Sequence, residues 1–332
     1  MKEKKAEMNK KILIILTGGT IAMKASGASG VVPSPEFAEF ISKFPQLSNV
    51  ADIDVMDYLN VPSPYMTPQM MLDLAKLIDL KIMDYDGVVI THGTDTLEES
   101  AYLCDLVLTT RKPVVFTAAM RSGSDIGLDG PRNIVGAVRV ASHHESMDKG
   151  VLVVMNDEIH TARDVVKSDT GKVDAFISMG YGPIGNVDPD IVVYHRSTLY
   201  RESVWTDKLN TKVDLIKAVA GIDGKFIRCS VDSGAVAIVL EAFGRGNVPR
   251  DLVPDIKAAI DANVLMVIAS RTYTGRVLPE YGYEGGGKHL HELGAILAGD
   301  MRGVKVRLKL MALFGKYDNA DTVRRFFLQS LS

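Results

Sequence analysis

"DGVVITHGTDTLEES", residues 86–100, decides the fold. The apolar run Val88–Ile90 reads as a buried strand, Thr91–Asp95 as a polar loop with a glycine, and "TLEESAYLCDLVL" (96–108) as a helix. Strand, loop and helix in that order are the start of a crossover between parallel strands. The same syntax recurs. "KILIILT" (11–17) is a buried strand running into "TGGT", and "KPVVFTAAM" (112–120) and "GVLVVMND" (150–157) are further strands. "ADIDVMDY" (51–58) alternates. "TPQMMLDLAKLIDLK" (67–81) predicts a helix with Thr67 as N-cap, Pro68 at its first position and one face of Met71, Leu74, Ala75 and Ile78. "GPRNIVGAVRVASHH" (130–144) predicts another, which Pro131 can start. The alternation implies an α/β fold with a mainly parallel sheet flanked by helices.

From His195 the chain turns polar and irregular ("HRSTLYRESVWTDKLN"), then "KVDLIKAVAG", "GAVAIVLEAFGRGN", "PRDLVPDIKAAIDAN" and "VLMVIASRTYTGRV" restart the alternation before two amphipathic helical patterns. The expected organisation is a solvated tail over 1–10, a larger N-terminal α/β domain over 11–194, a linker over 195–211 and a smaller C-terminal α/β domain over 212–332. No internal repeat is visible.

The 332 residues are 46% hydrophobic and 24% charged with a net charge of −3. That leaves no basic field for nucleic acid or an anionic membrane. The basic start "MKEKKAEMNKK" precedes an apolar run "ILIIL", which is shorter than the roughly 7–15 residues of a signal-peptide core and ends in Gly-Gly rather than a cleavage site. No apolar run approaches the ~18 residues of a membrane span. Cys104 and Cys229 form no disulfide framework, and Cys104 falls in a helical pattern as a buried thiol. The cytoplasm is the expected compartment.

Ligands of open α/β sheets bind beyond the carboxyl ends of the strands. Those positions hold Thr17-Gly18-Gly19-Thr20, Thr91-His92-Gly93-Thr94-Asp95, Thr117 to Arg121, Asn156-Asp157 and, shortly after, Arg163 to Lys167. "TGGT" has neither phosphate-loop spacing, and "GRGN" (244–247) adds no glycine at the required interval. His92, His143, His144 and His160 lack metal-ligand spacing and read as solvated or core-satisfied residues; no metal site is expected. No GxSxG elbow is present. A threonine nucleophile remains. Its hydroxyl needs a base, which lysine supplies when its pKa is depressed and a carboxylate orients it. Thr94, Asp95 and Lys167 suit such a relay. Residue type alone leaves the bland reading open, since loop threonines cap turns and Asp95 suits the N-cap of the next helix.

"TGGTIA" (17–22) and "DGVVITHGTDTLEES" together resemble the two signatures of the bacterial L-asparaginase/glutaminase family, amidohydrolases with a threonine nucleophile. The resemblance continues through "KPVVFTAAMR", "DGPRNI", "VLVVMND" and "ARDVVK", and more loosely through "GRGN" and "SRTYTGRV". It implies that Thr20 is the nucleophile, that Thr94, Asp95 and Lys167 form the catalytic relay, and that Asp95 also binds the substrate α-amine. Ser63 would hold the α-carboxylate, with Gly19, Pro64, Gly93 and Ala119 lining the substrate and Asn247 reaching a neighbouring subunit's site. It implies no cofactor, a homo-oligomer (a dimer, or a tetramer of intimate dimers), and L-asparagine or L-glutamine as substrate, cleaved by double displacement. Two positions depart from the family pattern. Val31 stands where many members have a tyrosine, leaving Thr17, Ser26 and Ser29 as candidate helpers of Thr20. Pro64 stands where a glutamine often follows the serine. Glu280 and Glu284 are candidates for a glutamate lent to a neighbour. Competing expectations are a broader glutaminase-asparaginase, the amidase subunit of a tRNA-dependent amidotransferase (for which residues before Thr17 leave no room for the usual extra domain), and a non-catalytic amino-acid-binding module.

Overall fold

The computed structural model describes residues 10–19, 21, 23–25, 31–33, 45–198 and 201–329. They divide into two compact units between Arg201 and Glu202. Strands of the first unit are β1 (Lys11–Gly18), β2 (Met23–Ala25), β3 (Val31–Pro33), β4 (Asp52–Val61), β5 (Gly87–Thr91), β6 (Val114–Thr117), β7 (Val151–Met155), β8 (Glu158–Thr161), β9 (Val165–Lys167), β10 (Phe176–Ser178), β11 (Gly185–Val187) and β12 (Val192–Tyr194). Its helices are α1 (Pro45–Ser48), α2 (Pro68–Lys81), α3 (Leu97–Val107) and α4 (Gly130–Ser142).

Eight strands form one sheet in the order β12-β11-β8-β7-β6-β5-β1-β4. From β4 to β7 all pairs are parallel. Every residue of β1 after Lys11 is buried, as a strand covered on both faces requires. Ile12, Ile14 and Leu16 share a cluster with Ile134, Ala137, Val138 and Ala141 of α4. Leu13 and Ile15 point to the other face by strand alternation and are buried there. On α2, Thr67 Oγ1 accepts from the Met70 N–H at 3.2 Å, and the buried residues include Met71, Leu74, Ala75 and Ile78.

Two boundaries differ from the sequence expectation. The strand expected to run to Asp157 stops at Met155. Asn156 and Asp157 take φ values of 49° and 64°, as the two central residues of a type I′ hairpin turn must, and the chain returns antiparallel as β8. β11 and β12 extend this antiparallel edge. The helix expected over 130–144 ends at Ser142, because His143 is extended.

The parallel registers align the strand ends. Leu16 of β1 pairs with Thr91 of β5, which pairs with Thr117 of β6, and Gly18 pairs with Val61 of β4 after a register shift. The loops after β1, β4, β5 and β6 therefore leave one edge together. β2 and β3 form a small antiparallel hairpin, with the Val31 backbone opposite Ala25. β9 and β10 form another, in which Lys167 pairs with Phe176.

The second unit is a parallel sheet of β13 (Val213–Lys217), β14 (Ala237–Ala242), β15 (Leu265–Ser270) and β16 (Ile296–Leu297), in that order. Its helices are α5 (Lys225–Asp232), α6 (Val253–Asp261), α7 (Gly287–Glu292), α8 (Gly303–Lys316) and α9 (Ala320–Gln329). Ile238, Leu240, Met266 and Ile268 form its core with Ile227, Ile256 and Leu290. Residues 195–198 and 201–211 carry neither helix nor strand. Part of that segment is nonetheless packed: Val204 and Thr206 are buried, and Glu202 meets the buried Lys309 ammonium at 2.7 Å. The architecture is the expected one, a larger α/β unit with a mainly parallel sheet and a smaller α/β unit. Among the described residues no helix is long and apolar enough to cross a membrane.

Ile14 is fully buried between strands β4 and β5. Ile14→Ala is expected to lower the unfolding free energy by about 2–5 kcal/mol. Thr67→Ala, which removes only a cap, is expected to cost about 0.5–2 kcal/mol. Urea unfolding of both variants checks the ranking.

Candidate active site

The glycines after β1 come first. Gly18 and Gly19 have φ values of 100° and 86°, a region that L side chains rarely occupy. A Cβ on Gly19 would lie 2.4 Å from both N and Cα of Gly93, so the two backbones touch. A Cβ on Gly93 would in turn lie 2.6 Å from the Ser63 side chain. These contacts bring the loops after β1, β4 and β5 to one point. Thr17 adds a tie, its buried hydroxyl donating to the Thr91 carbonyl at 2.8 Å. That commits the Thr17 proton to the fold.

Ser63 is buried and opens a single 3₁₀ turn, Ser63–Tyr65, between Pro62 and Met66. Pro64 needs no N–H there, and its ring restrains the turn. Ser63 is locked from two sides. Its Oγ accepts from the Asp95 N–H at 3.2 Å, and its carbonyl accepts from Thr96 Oγ1 at 2.9 Å. The Ser63 hydroxyl proton can then point to a ligand.

Asp95 does not cap α3. Thr96 occupies the N-cap position, but its hydroxyl is given to the Ser63 carbonyl and caps no helix N–H, and the Asp95 carboxylate turns to Lys167. Lys167 Nζ donates to Thr94 Oγ1 at 2.8 Å and to Asp95 Oδ1 at 2.6 Å. Thr94 is buried, the Lys167 side chain is 17% exposed and that of Asp95 55%. The triad thus has a dry end at Thr94 and a wet end at Asp95. Lys167 reaches it from the end of β9. A turn bound by the Asp164 N–H to the Thr161 carbonyl at 3.3 Å sends the chain from β8 into β9.

Behind this loop sits His92, one of the histidines that read from the sequence as solvated or core-satisfied. It is buried, with Nδ1 2.8 Å from the Gly93 carbonyl and Nε2 2.9 Å from Ser100 Oγ. A carbonyl only accepts, so Nδ1 carries the proton and Nε2 accepts from Ser100. Burial drives the imidazole pKa down from 6.5 to about 4, against the raising effect of the Gly93 carbonyl, and keeps the ring neutral.

Ala119 is buried two residues beyond β6. Its loop hangs on two side chains that sequence motifs did not single out by role. Asp129 accepts from the N–H groups of Met120 and Arg121, both at 3.0 Å, and Asn133 Nδ2 donates to the Ala118 carbonyl at 3.0 Å. Their spacing from α4 is the signal, since a carboxylate and an amide one helical turn apart face the same loop.

Asn247 lies in the second unit, at the turn after β14, where its Oδ1 accepts from the Gly287 N–H at 3.2 Å. Glu280 and Glu284 in that unit form ion pairs with Arg245 at 3.0 Å and Arg250 at 2.8 Å. Thr20, Ser26 and Ser29 lie outside the described residues. The first unit therefore gathers Gly19, Ser63, Gly93, Thr94, Asp95 and Lys167. Among the described residues no group of three or more His, Cys, Asp or Glu side chains could hold a metal ion.

A hydroxyl, an ammonium and a carboxylate in direct contact at the carboxyl edge of a parallel sheet define a site for polar chemistry on a small ligand. The chain belongs to the asparaginase family. Residues 11–200 match the family's domain "Asparaginase, N-terminal", and residues 212–327 match "Glutaminase/Asparaginase C-terminal domain". It is 38% identical over 316 residues to an L-asparaginase of Bacillus licheniformis, covering 93% of this chain and 97% of that one. It is also 38% identical over 330 residues to a probable L-asparaginase of Deinococcus radiodurans, covering 97% and 98%. The crystal structure of a probable cytoplasmic L-asparaginase from Campylobacter jejuni superposes with a TM-score of 0.84 at 31% identity, covering 96% of this chain and 99% of that one.

Two expectations follow from the geometry. Gly19→Ala forces a Cβ onto the Gly93 backbone at an unfavourable φ, and is expected to destabilise by at least about 1–3 kcal/mol; thermal unfolding reads this directly. His92 ties stability to pH. Its folded pKa lies below the unfolded value, so the unfolded chain takes up the proton first. The contribution is intact above about pH 6.5 and falls away by up to about 3 kcal/mol as pH drops toward 4. Urea midpoints at pH 7 and 4.5 are expected to differ less in His92→Asn than in the wild type.

Proposed function

We propose that the protein is an L-asparaginase, hydrolysing L-asparagine to L-aspartate and ammonia through an acyl-enzyme on Thr20. The observation that carries the reading is the Lys167 ammonium bridging Thr94 Oγ1 at 2.8 Å and Asp95 Oδ1 at 2.6 Å beside the Gly19–Gly93 contact. The family membership and the L-asparaginases it resembles supply the substrate class.

Thr20 Oγ attacks the side-chain amide carbon. The N–H groups of Thr94 and Gly19 receive the oxyanion. The nucleophile's proton passes to the amide nitrogen, the C–N bond breaks and ammonia leaves, so that a β-aspartyl ester remains on Thr20. A water, its proton taken through the Thr94–Lys167–Asp95 relay, attacks the ester and restores the Thr20 hydroxyl as aspartate departs. The Lys167–Thr94 contact is the link through which the scheme passes the proton. Asp95 favours a protonated α-amine, and the free hydroxyl proton of Ser63 favours the α-carboxylate. Val31 supplies no hydroxyl and Thr17 donates its proton to the Thr91 carbonyl; the scheme places activation of Thr20 on the Thr94–Lys167 side, with Ser26 and Ser29, which lie outside the described residues, as the alternative helpers.

The reading extends to a catalytic domain over 11–194, a linker over 195–211 and a C-terminal domain over 212–332, in a cytoplasmic homo-oligomer to which Asn247 contributes a substrate contact for a neighbour's site. No cofactor enters the scheme. Glutamine is longer by one methylene, a difference that a pocket discriminates by about 1–3 kcal/mol.

Thr20→Ala is expected to abolish ammonia release from asparagine while leaving the circular dichroism spectrum unchanged; substantial residual turnover would remove Thr20 from the nucleophile's role. Lys167→Met is expected to lower kcat by roughly 10²–10⁴-fold, the usual worth of a general base. Ammonia assays with asparagine and glutamine in parallel set the preference.

A further inference from the structure

The pair His92–Ser100 has no part in the scheme above, yet it contacts the loop on which the scheme depends. His92 follows β5 directly and is buried beside Gly93 and Thr94. Its Nδ1–H is bonded to the carbonyl of Gly93 at 2.8 Å, and that carbonyl belongs to the peptide that joins Gly93 to Thr94. A trans peptide points its C=O and N–H in opposite directions. Holding the Gly93 carbonyl toward the buried ring therefore aims the Thr94 N–H away from the ring.

Glycine at 93 makes the restraint necessary. A glycine flanks this peptide, and its backbone rotates more freely than any other residue's. The Thr94 side chain is fixed by Lys167, but a side-chain bond leaves the peptide plane free to turn. The imidazole can only hold that plane as the Nδ1–H tautomer. Ser100, buried about one turn into α3, selects this tautomer by donating its hydroxyl to Nε2 at 2.9 Å. The ring is fully enclosed and is not placed to touch a ligand.

We infer that His92 and Ser100 are positioning residues for hydrolysis: the Ser100 hydroxyl fixes the His92 tautomer, and the His92 Nδ1–H fixes the Gly93–Thr94 peptide so that the Thr94 N–H faces the oxyanion. The inference rests on the asparaginase reading and goes beyond it by assigning the orientation of the donor to two residues that meet no substrate.

The variants separate orientation from packing. The Asn amide nitrogen can occupy the place of imidazole Nδ1, whereas Leu fills similar space with no donor. His92→Leu is expected to lower kcat by about 10–10³-fold with KM within about threefold, on the scale of losing one oxyanion donor. His92→Asn is expected to recover most of that loss. Ser100→Ala is expected to give a smaller kcat decrease. Nitrogen-15 spectra of histidine-labelled wild type, with His92 assigned from the Asn variant, are expected to show Nδ1 protonated and Nε2 bare, and Ser100→Ala to shift the ring toward a tautomer mixture. Equal kcat losses in Leu and Asn, an unchanged kcat in Leu, or an Nε2–H tautomer in the wild type overturns the inference. Should His92→Leu fail to fold, Ser100→Ala and the wild-type spectrum still decide it. A wild type that releases no ammonia from either amide refutes the asparaginase reading instead, and the tautomer measurement still stands.

Discussion

The contact on which the rest depends is backbone against backbone: Gly19, just past β1, against Gly93, just past β5. A Cβ on Gly19 would lie 2.4 Å from the Gly93 backbone and force the two loops apart, and one on Gly93 would lie 2.6 Å from the Ser63 side chain, which fills the space beside it. Parallel pairing carries Leu16 and Thr91 to the same level, and the glycines convert that register into touching loops. The Thr17 hydroxyl on the Thr91 carbonyl pins the same junction one residue earlier. The site is thus assembled by strand register and the absence of Cβ atoms, before any catalytic side chain is considered.

Lys167 arrives by a different route. It follows a hairpin, since β7 turns at Asn156-Asp157 into β8, and β8 turns again into β9. Two reversals inside thirteen residues return the chain to the edge it has just left. Ser178 on β10 secures this ribbon through the buried His160 ring, its Oγ 3.0 Å from Nδ1. A lysine on a free loop would lose much rotamer entropy on binding two acceptors. On a paired strand anchored to the sheet, the backbone share of that cost is met by folding.

Fold class was legible because periodicity reports burial directly. β1, β5 and β7 are unbroken apolar runs, and α2 shows its cap, its proline and its apolar face in the residue string. The hairpin at Asn156-Asp157 was less visible, because a strand running to the loop and a strand turning back share the same apolar run; only the positive-φ preference of Asn and Asp separates them. α5 was illegible for a similar reason: in its eight residues only Ile227 and Ser230 are buried, which is too short a stripe to show a period. For the site, Thr94, Asp95 and Lys167 were visible as polar residues at strand ends. Their mutual contact spans more than seventy residues of sequence and follows from sheet order, which no local pattern encodes. His92 reads from sequence as either solvated or core-satisfied, and the structure buries it; what sequence could not carry is which carbonyl its ring holds.

The site divides into a dry half and a wet half, and the division matches the work the proposed scheme gives each. His92, Ser100, Thr17 and Thr91 are enclosed, and the bonds among them fix directions rather than move protons. A group that orients must not titrate in the working range, and burial ensures that by pushing the His92 pKa down to about 4. Asp95 stands at the opening, its side chain 55% exposed, with the Lys167 ammonium against it. Thr94 belongs to both halves: its peptide is held from the dry side by His92, and its hydroxyl is held from the wet side by Lys167. In the proposed scheme one residue then presents an N–H to the reacting oxygen and a hydroxyl to the relay without either task setting the geometry of the other.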